Sequence, residues 1–252
     1  MEKYLHKKTF EVKYCDVDFK DELKQSALLA YLEEVSCSSA DELGFGYSYI
    51  KPRGYAFMVS SYRIEFFKPI TLGEQVEICT WPTPPTHVVF GREYFVNNSA
   101  GKRLLQATSR WCLVDINSRK ILPSKILTEQ DYSTYNPTKL FADTQWKMPM
   151  FRLEGAALKF TVTIANSECD HNMHVNNTRY ADYCLNCFTI AELTTKKLKA
   201  FAIHYLKECK EGDALRFYLK NSDGGEYYVY GLNACGDVAV QARIDFEITD
   251  RT

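Results

Sequence analysis

Apolar and polar residues alternate along much of the chain, and two stretches replace that alternation with a helical period. Phe10-Glu11-Val12 opens one alternating segment and Phe160-Thr161-Val162 opens another; each predicts a strand, because successive strand side chains point to opposite faces. From Ser26 to about Leu43, Leu28, Tyr31, Leu32 and Val35 share one helical face, and Gly44 supplies a stop. From about Asn177 to Leu193, Tyr180, Cys184, Cys187 and Ala191 do the same. Strands rich in Val, Ile, Tyr, Phe and Thr are expected at Gln75–Trp81, Val88–Val96 and Leu104–Val114. In the second half they are expected at Ala200–Lys207, Leu215–Leu219, Tyr227–Leu232 and Val238–Ile248.

The order repeats, and so do local sequences. Ile64-Glu65-Phe66-Phe67-Lys68-Pro69-Ile70 aligns with Ile203-His204-Tyr205-Leu206-Lys207-Glu208-Cys209, each followed, after two further residues, by Gly and an acid, Gly73-Glu74 and Gly212-Asp213. Farther on, the block Ala100–Ala107 aligns with Cys235–Ala242. Each half reads as strand, long helix, then strands in hairpin succession, an α+β layer in which a curved antiparallel sheet wraps a buried helix. Two tandem copies would pair their sheets as an internal pseudo-dimer. The segment Asn117–Glu154, with Pro123, Pro137 and Pro149, has no sustained period and reads as a surface linker, with a short helix expected near Ser124–Tyr132. The expected division is a first repeat over 1–123, a linker over 124–154 and a second repeat over 155–252.

Composition narrows the function without naming it. The chain is 46% apolar and 25% charged with a net charge of -1, an ordinary globular balance with no general pull toward nucleic acid or anionic lipid. No apolar run approaches the ~18 residues a membrane span needs, and the lysines near the N-terminus precede no apolar stretch of a secretory signal. Nine cysteines form no disulfide framework, so reduced thiols and a cytoplasmic location are expected. Cys184-Leu185-Asn186-Cys187 has metal or redox spacing, but it has no second pair and sits inside the expected helix. Core packing is the better reading, and neither metal nor cofactor is expected.

The richest chemistry lies in Asp170-His171-Asn172-Met173-His174-Val175-Asn176-Asn177-Thr178-Arg179-Tyr180. An acid, an amide and an imidazole, spaced by two, could hold a water and polarise a carbonyl. Helix capping by Asn176 or Asn177 is the competing explanation, and capping accounts for at most one of Asp170, Asn172 and His174. The matching region of the first half, Phe19–Leu23, has no His or Asn, which suggests one site per chain.

This motif, the tandem layout, Thr80-Trp81-Pro82, the run Trp111–Lys120 and the pair Glu208-Cys209 together resemble the acyl-acyl carrier protein (acyl-ACP) thioesterases, double hot-dog proteins. The resemblance covers almost the whole chain. Without a targeting extension, and with Ala165–Cys169 where a Trp often precedes the motif, the chain is similar to bacterial-type members. The resemblance implies hydrolysis of fatty acyl-ACP to free acid and carrier protein, which ends chain elongation. An acyl-coenzyme A thioesterase and a non-catalytic acyl-binding protein are the alternatives. It also implies a partner, acidic acyl carrier protein bearing the acyl chain on a phosphopantetheine arm, and an acyl tunnel walled by the first helix and Tyr55–Val59. The chain would be a monomeric pseudo-dimer or a homodimer.

On that reading Glu208 is the candidate base for water attack, Asn172 and His174 hold water and polarise the carbonyl, and Asp170 orients one of them. Free N–H groups where the second helix begins would suit an oxyanion. A rival scheme uses Cys209 as nucleophile with His174 and Asn172. Neighbours on a strand end face opposite ways, so only one of Glu208 and Cys209 can point at the site. Lys196, Lys197 and Lys199, and Lys207 and Lys210, are candidate cations for the carrier protein.

Overall fold

The computed structural model describes residues 3–127, 134–141, 148–222 and 225–248. In the first half, β1 (His6–Glu11) is followed by α1 (Gln25–Glu42), a short α2 (Tyr47–Ile50), and then β2 (Tyr55–Phe66), β3 (Gln75–Pro82), β4 (Val89–Asn98), β5 (Arg103–Asp115) and the two-residue β6 (Ile121–Leu122). The second half repeats the order with β7 (Ala157–Thr163), α3 (Arg179–Leu185), α4 (Ile190–Thr194), β8 (Lys196–Tyr205), β9 (Ala214–Asn221), β10 (Glu226–Leu232) and β11 (Val238–Ile248).

All the strands share one antiparallel sheet in the order β1-β3-β4-β5-β2-β8-β11-β10-β9-β7, with β6 beside β5. The order of the second half mirrors that of the first about the β2–β8 seam. Arg63 faces Ala202 there, flanked by Tyr62 opposite Ile203 and Ile64 opposite Phe201. Since Ile64 aligns with Ile203, the facing residues Arg63 and Ala202 are equivalents, and a local two-fold axis passes between them. These are two tandem hot-dog repeats joined edge to edge.

The period of α1 does what the pattern predicts. Leu28, Leu29, Leu32 and Val35 are fully buried and pack in one cluster with Tyr62, Ile64, Ile78, Tyr94 and Leu105 of the sheet; each such side chain contributes about 1.5–3 kcal/mol. Tyr31 lies at the edge of that face and stacks on Phe10. Gly44, at φ +80°, turns the chain as the helix ends, a conformation in which a Cβ would be strained.

Two expectations are corrected. The helix expected over Asn177–Leu193 is two helices, because Thr189 caps a new one: its Oγ1 accepts from Glu192 N–H, and Glu192 Oε2 accepts from Thr189 N–H at 2.7 Å. The break places Phe188 against Tyr227 and Phe246. β8 begins at Lys196, not Ala200, because its pairing with β11 continues past a bulge at Asp245/Phe246 to Lys196 opposite Ile248. Of the helix expected near Ser124–Tyr132, the described part holds a single turn at Ser124–Ile126, and 128–133 lie outside the described residues. Cys184 and Cys187 are buried core thiols, pushed up by burial, Cys187 to about 12. Among the described residues, no helix is long and apolar enough to cross a membrane.

Candidate active site

Cys169 and Val175 pair as an isolated antiparallel bridge, and the residues between them form a tight loop. The Asp170 N–H donates to the His174 carbonyl at 2.8 Å, and the Met173 N–H donates to the Asp170 carbonyl at 3.0 Å. The Asp170 carboxylate accepts from the Asn172 backbone N–H at 2.7 Å and from Asn172 Nδ2 at 3.4 Å. An Asp that bonds the backbone two residues on holds a turn of its own. The turn is tight enough to put Met173 at φ 65°, unusual for a residue with a Cβ.

One backbone hydrogen bond then joins this loop to the segment after β8: Val175 N–H donates to the Cys209 carbonyl at 2.8 Å. That clamp brings Glu208 beside His174, with His174 Nε2 3.1 Å from Glu208 Oε2. His174 Nδ1 is buried with no hydrogen-bond partner among the described residues. A proton there would be an unpaired buried donor, so the neutral ring carries its hydrogen on Nε2, toward Glu208. Arg119 reaches the same carboxylate from the far end of the β5 segment, its Nη1 3.3 and 3.4 Å from the two oxygens.

The first half builds the same scaffold without the chemistry. Asp18 Oδ1 accepts from Lys20 N–H at 2.8 Å, Asp18 N–H donates to Glu22, Asp21 sits at φ 57°, and Leu23 N–H donates to Ile70 at 2.8 Å. Residue by residue, Asp18 matches Asp170, Lys20 matches Asn172, Glu22 matches His174, and Pro69 and Ile70 match Glu208 and Cys209. Lys20 and Glu22 form an ion pair at 2.9 Å instead. The aspartate therefore serves the turn in both halves, whereas the amide, imidazole and carboxylate appear in the second half alone.

A cavity of about 470 Å³ opens beside the second-half loop. Asp170, Asn172 and Glu208 lie on its wall, and it extends under the last turns of α1, past Phe45 and Phe57, to Phe90 and Arg92 of β4. Its two-fold equivalent, beside Glu22 and Pro69, is only about 30 Å³. The reason is visible in the matched positions. Where the open half has Ser36, Arg92 and Trp111, the closed half has Phe188, Tyr227 and Phe246. Those three rings pack edge to face at 5.1–5.6 Å, with Lys196 Nζ 4.5 Å from the Tyr227 ring centre.

Glu208 and Cys209 follow the end of β8 instead of lying on it, yet they do face opposite ways. Glu208 is exposed and borders the cavity, while Cys209 is 2% exposed, in the core position of Ile70. Burial pushes the Cys209 thiol up, with the Tyr180 hydroxyl bonded to it. Asp170 holds Asn172 and makes no described bond to the His174 ring. The start of α3 offers less to an oxyanion than expected, because Thr178 N–H is taken by the Asn176 side chain at 2.9 Å and Arg179 N–H by the Asn176 carbonyl at 3.0 Å. Asn176 thus holds the turn that leads into α3, whose N-cap Thr178 makes no side-chain cap bond, while Asn177 bonds Glu33 of α1.

The lysines divide. Lys196, Lys197 and Lys199 sit at the opposite end of β8 from Glu208, on the order of 30 Å away at ~3.3 Å per residue, and Lys196 also bonds the Tyr227 hydroxyl at 3.1 Å. Lys207 is near the loop and pairs with Asp237 at 2.6 Å. Lys210 is exposed beyond Cys209, its backbone N–H bonded to Asp213. Several polar cavity residues, Glu33, Lys51, Arg92 and Arg119 among them, carried little signal in the sequence. Arg119 had only its place in the Trp111–Lys120 run as a signal. Glu33 fell on the exposed side of the helical pattern, and burial and nearby Asp170 raise its carboxyl above its usual range, opposed by the bond from Asn177.

Fold and site together define a tandem hot-dog protein with an open cavity and a polar cluster at its edge among the described residues. The N-terminal domain of the acyl-ACP thioesterases matches residues 3–130 and their C-terminal domain matches 154–248, so the chain belongs to the acyl-ACP thioesterase family. It is 23% identical to a chloroplastic palmitoyl-acyl carrier protein thioesterase of Gossypium hirsutum, over 85% of this chain and 54% of that protein. The chain spans about half the length of the curated plant relatives it matches. In fold it is similar to an acyl-ACP thioesterase of Bacteroides thetaiotaomicron, with a TM-score of 0.88 and 23% identity over 96% of this chain and 98% of that one. It is also similar to the 12:0-ACP thioesterase of Umbellularia californica, with a TM-score of 0.85 and 18% identity over 97% and 98%.

Proposed function

We propose that the protein hydrolyses fatty acyl-ACP thioesters to free fatty acid and carrier protein, ending chain elongation. The observation that carries this reading is the Glu208 carboxylate, 3.1 Å from His174 Nε2 and bordering a cavity walled largely by apolar side chains. The acyl chain lies in the cavity, with the thioester at the Glu208 edge. Glu208 takes a proton from water as the oxygen attacks the carbonyl carbon. The C–O bond forms, the tetrahedral intermediate collapses with C–S cleavage, and the departing sulfur is protonated. His174 and Arg119 fix the carboxylate, and Asn172, locked by Asp170, offers its amide to the water or to the carbonyl oxygen.

Direct attack by water suits Glu208 better than Cys209, because the thiol is buried, off the cavity wall and held in its protonated form. The carrier protein docks where the arm can enter, at the cavity mouth, with Lys51, Arg119, Lys207 and Lys210 as its cationic contacts. Lys196, Lys197 and Lys199 lie too far along β8 to take part. A cytoplasmic location, where thiols stay reduced, suits nine unpaired cysteines.

The test is side-by-side hydrolysis of carrier and coenzyme A thioesters of the same acyl group, with free thiol and free acid both measured. Preferred turnover of the carrier thioester is expected. Preferred turnover of the coenzyme A thioester would move the reading to an acyl-coenzyme A hydrolase, and no turnover of either would leave an acyl-binding protein. Charge reversal at Lys207 and Lys210 should raise KM for the carrier substrate and steepen its salt dependence.

A further inference from the structure

Arg92 is the odd residue in the cavity wall. It is 5% exposed, it lines the cavity, and it pairs with no carboxylate among the described residues. Its hydrogen bonds run from Nη1 alone, to Ser39 Oγ at 2.8 Å and Thr80 Oγ1 at 3.3 Å. A guanidinium carries five donors, and a buried charge normally has an anionic partner or a full set of acceptors.

The fold does not require a guanidinium here. The matched residue of the closed half is Tyr227, fixed by the hairpin register: Arg92 faces Ser109 as Tyr227 faces Ile244. There, aromatic rings fill the space and the cavity closes. In the open half the same position keeps a cation, with Thr83, Gly91 and Ser36 beside it on the wall. Gly91 has no room for a side chain, since a Cβ would lie 2.5 Å from Thr83 Oγ1. Three strand spacings of ~4.8 Å and a few residues of ~3.3 Å separate Arg92 from the Glu208 loop, on the order of 20 Å. Arg92 therefore marks the inner end of the cavity, as Glu208 marks its mouth.

We propose that Arg92 recognises an oxygen atom at the far end of the acyl chain, so that the cavity accepts chains whose terminus carries a hydroxyl or carboxylate. This rests on the thioester-hydrolase reading and extends it to a substrate class. The unused guanidinium donors take the terminal oxygen as charge-assisted hydrogen bonds, with the methylenes running along the apolar wall. A plain methyl terminus leaves those donors unmatched in the same space.

The experiment compares three thioesters of one chain length on the same carrier, ending in methyl, hydroxyl or carboxylate. The wild-type protein is expected to hydrolyse at least one oxygenated chain with higher kcat/KM than the methyl-ended chain. In Arg92→Met the ratio of oxygenated to plain kcat/KM should fall roughly 10- to 100-fold, the worth of a charged hydrogen bond, with Arg92→Gln intermediate. A hydroxyl-only gain supports a neutral oxygen and a carboxylate gain an anionic one. Wild-type rejection of both oxygenated chains overturns the proposal, and so does an equal loss on all three in the variants, which would make Arg92 a packing residue. If no thioester is turned over, equilibrium binding of the three free acids to wild type and variants reads the same ratio, so the fate of Arg92 is separable from that of the hydrolase reading.

Discussion

Replacing Glu208 by Gln and Cys209 by Ala separates the two ways this site could cleave a thioester. The glutamine keeps the size of Glu208 and still accepts from His174 Nε2, 3.1 Å away in the parent. Glu208 is exposed, so Glu208→Gln leaves no charge buried and should change stability by no more than about 0.5 kcal/mol. What it removes is the group proposed to take the proton. A positioned base contributes about 10²–10⁴-fold, so kcat should fall by that factor, or roughly 2.7–5.4 kcal/mol at 1.36 kcal/mol per decade. Cys209 has the opposite profile. Burial pushes its thiol up, which disfavours the thiolate at neutral pH. Cys209→Ala should cost roughly 1–2 kcal/mol of stability through a small void, while kcat stays within a few-fold. Thiol release with a chromogenic reagent measures the rate, and thermal melts confirm that both variants are folded. Near wild-type turnover in folded Glu208→Gln, together with a dead Cys209→Ala, would refute the water mechanism.

Other expectations follow from the same geometry. Gly231→Ala places a Cβ 2.7 Å from Val240 Cγ1 and 2.8 Å from Phe217 Cε1, so overpacking should cost about 1–3 kcal/mol, seen as a lower denaturant midpoint with unchanged slope. Burial raises the Glu33 carboxyl above 4.5, so its contribution is fully present below the unfolded value and is lost as pH rises through the raised one. Glu33→Gln removes that loss, and the Tm of the variant relative to wild type should be higher at pH 7 than at pH 4; a difference independent of pH would contradict the assignment. Arg119→Ala breaks a pair with both side chains well exposed, so stability should change by less than about 1 kcal/mol. Its kcat should nevertheless drop several-fold as Glu208 loses one of its two holders, and an unchanged kcat would leave His174 as the sole positioning group.

The periodicity of α1 and the strand alternation were legible from the chain because burial of one face dictates them: Leu28, Leu32 and Val35 had to share a side. The repeat was legible as well, since the same packing problem is solved twice, and it paired Pro69 with Glu208 and Ile70 with Cys209. The loop Asp170–His174 stood out by its residue types. Its division of labour did not, because Asp18 and Asp170 do the same turn-holding work and only the hydrogen bonds show it. The break at Asn186–Phe188 escaped the pattern because Thr189 and Glu192 cap a new helix inside an apolar period that reads as continuous.

By itself, the sequence determined two copies of a helix-wrapping sheet and the residue types of one polar loop, since local period and turn chemistry act over a few residues. Tertiary structure decided which of the two equivalent spaces stays open. That choice depends on Ser36, Arg92 and Trp111 against Phe188, Tyr227 and Phe246, residues distant in sequence that meet only when helix and hairpin pack. It also decided that Arg119 joins His174 at Glu208, because a clamp such as Val175 to Cys209 forms between segments that no local period connects.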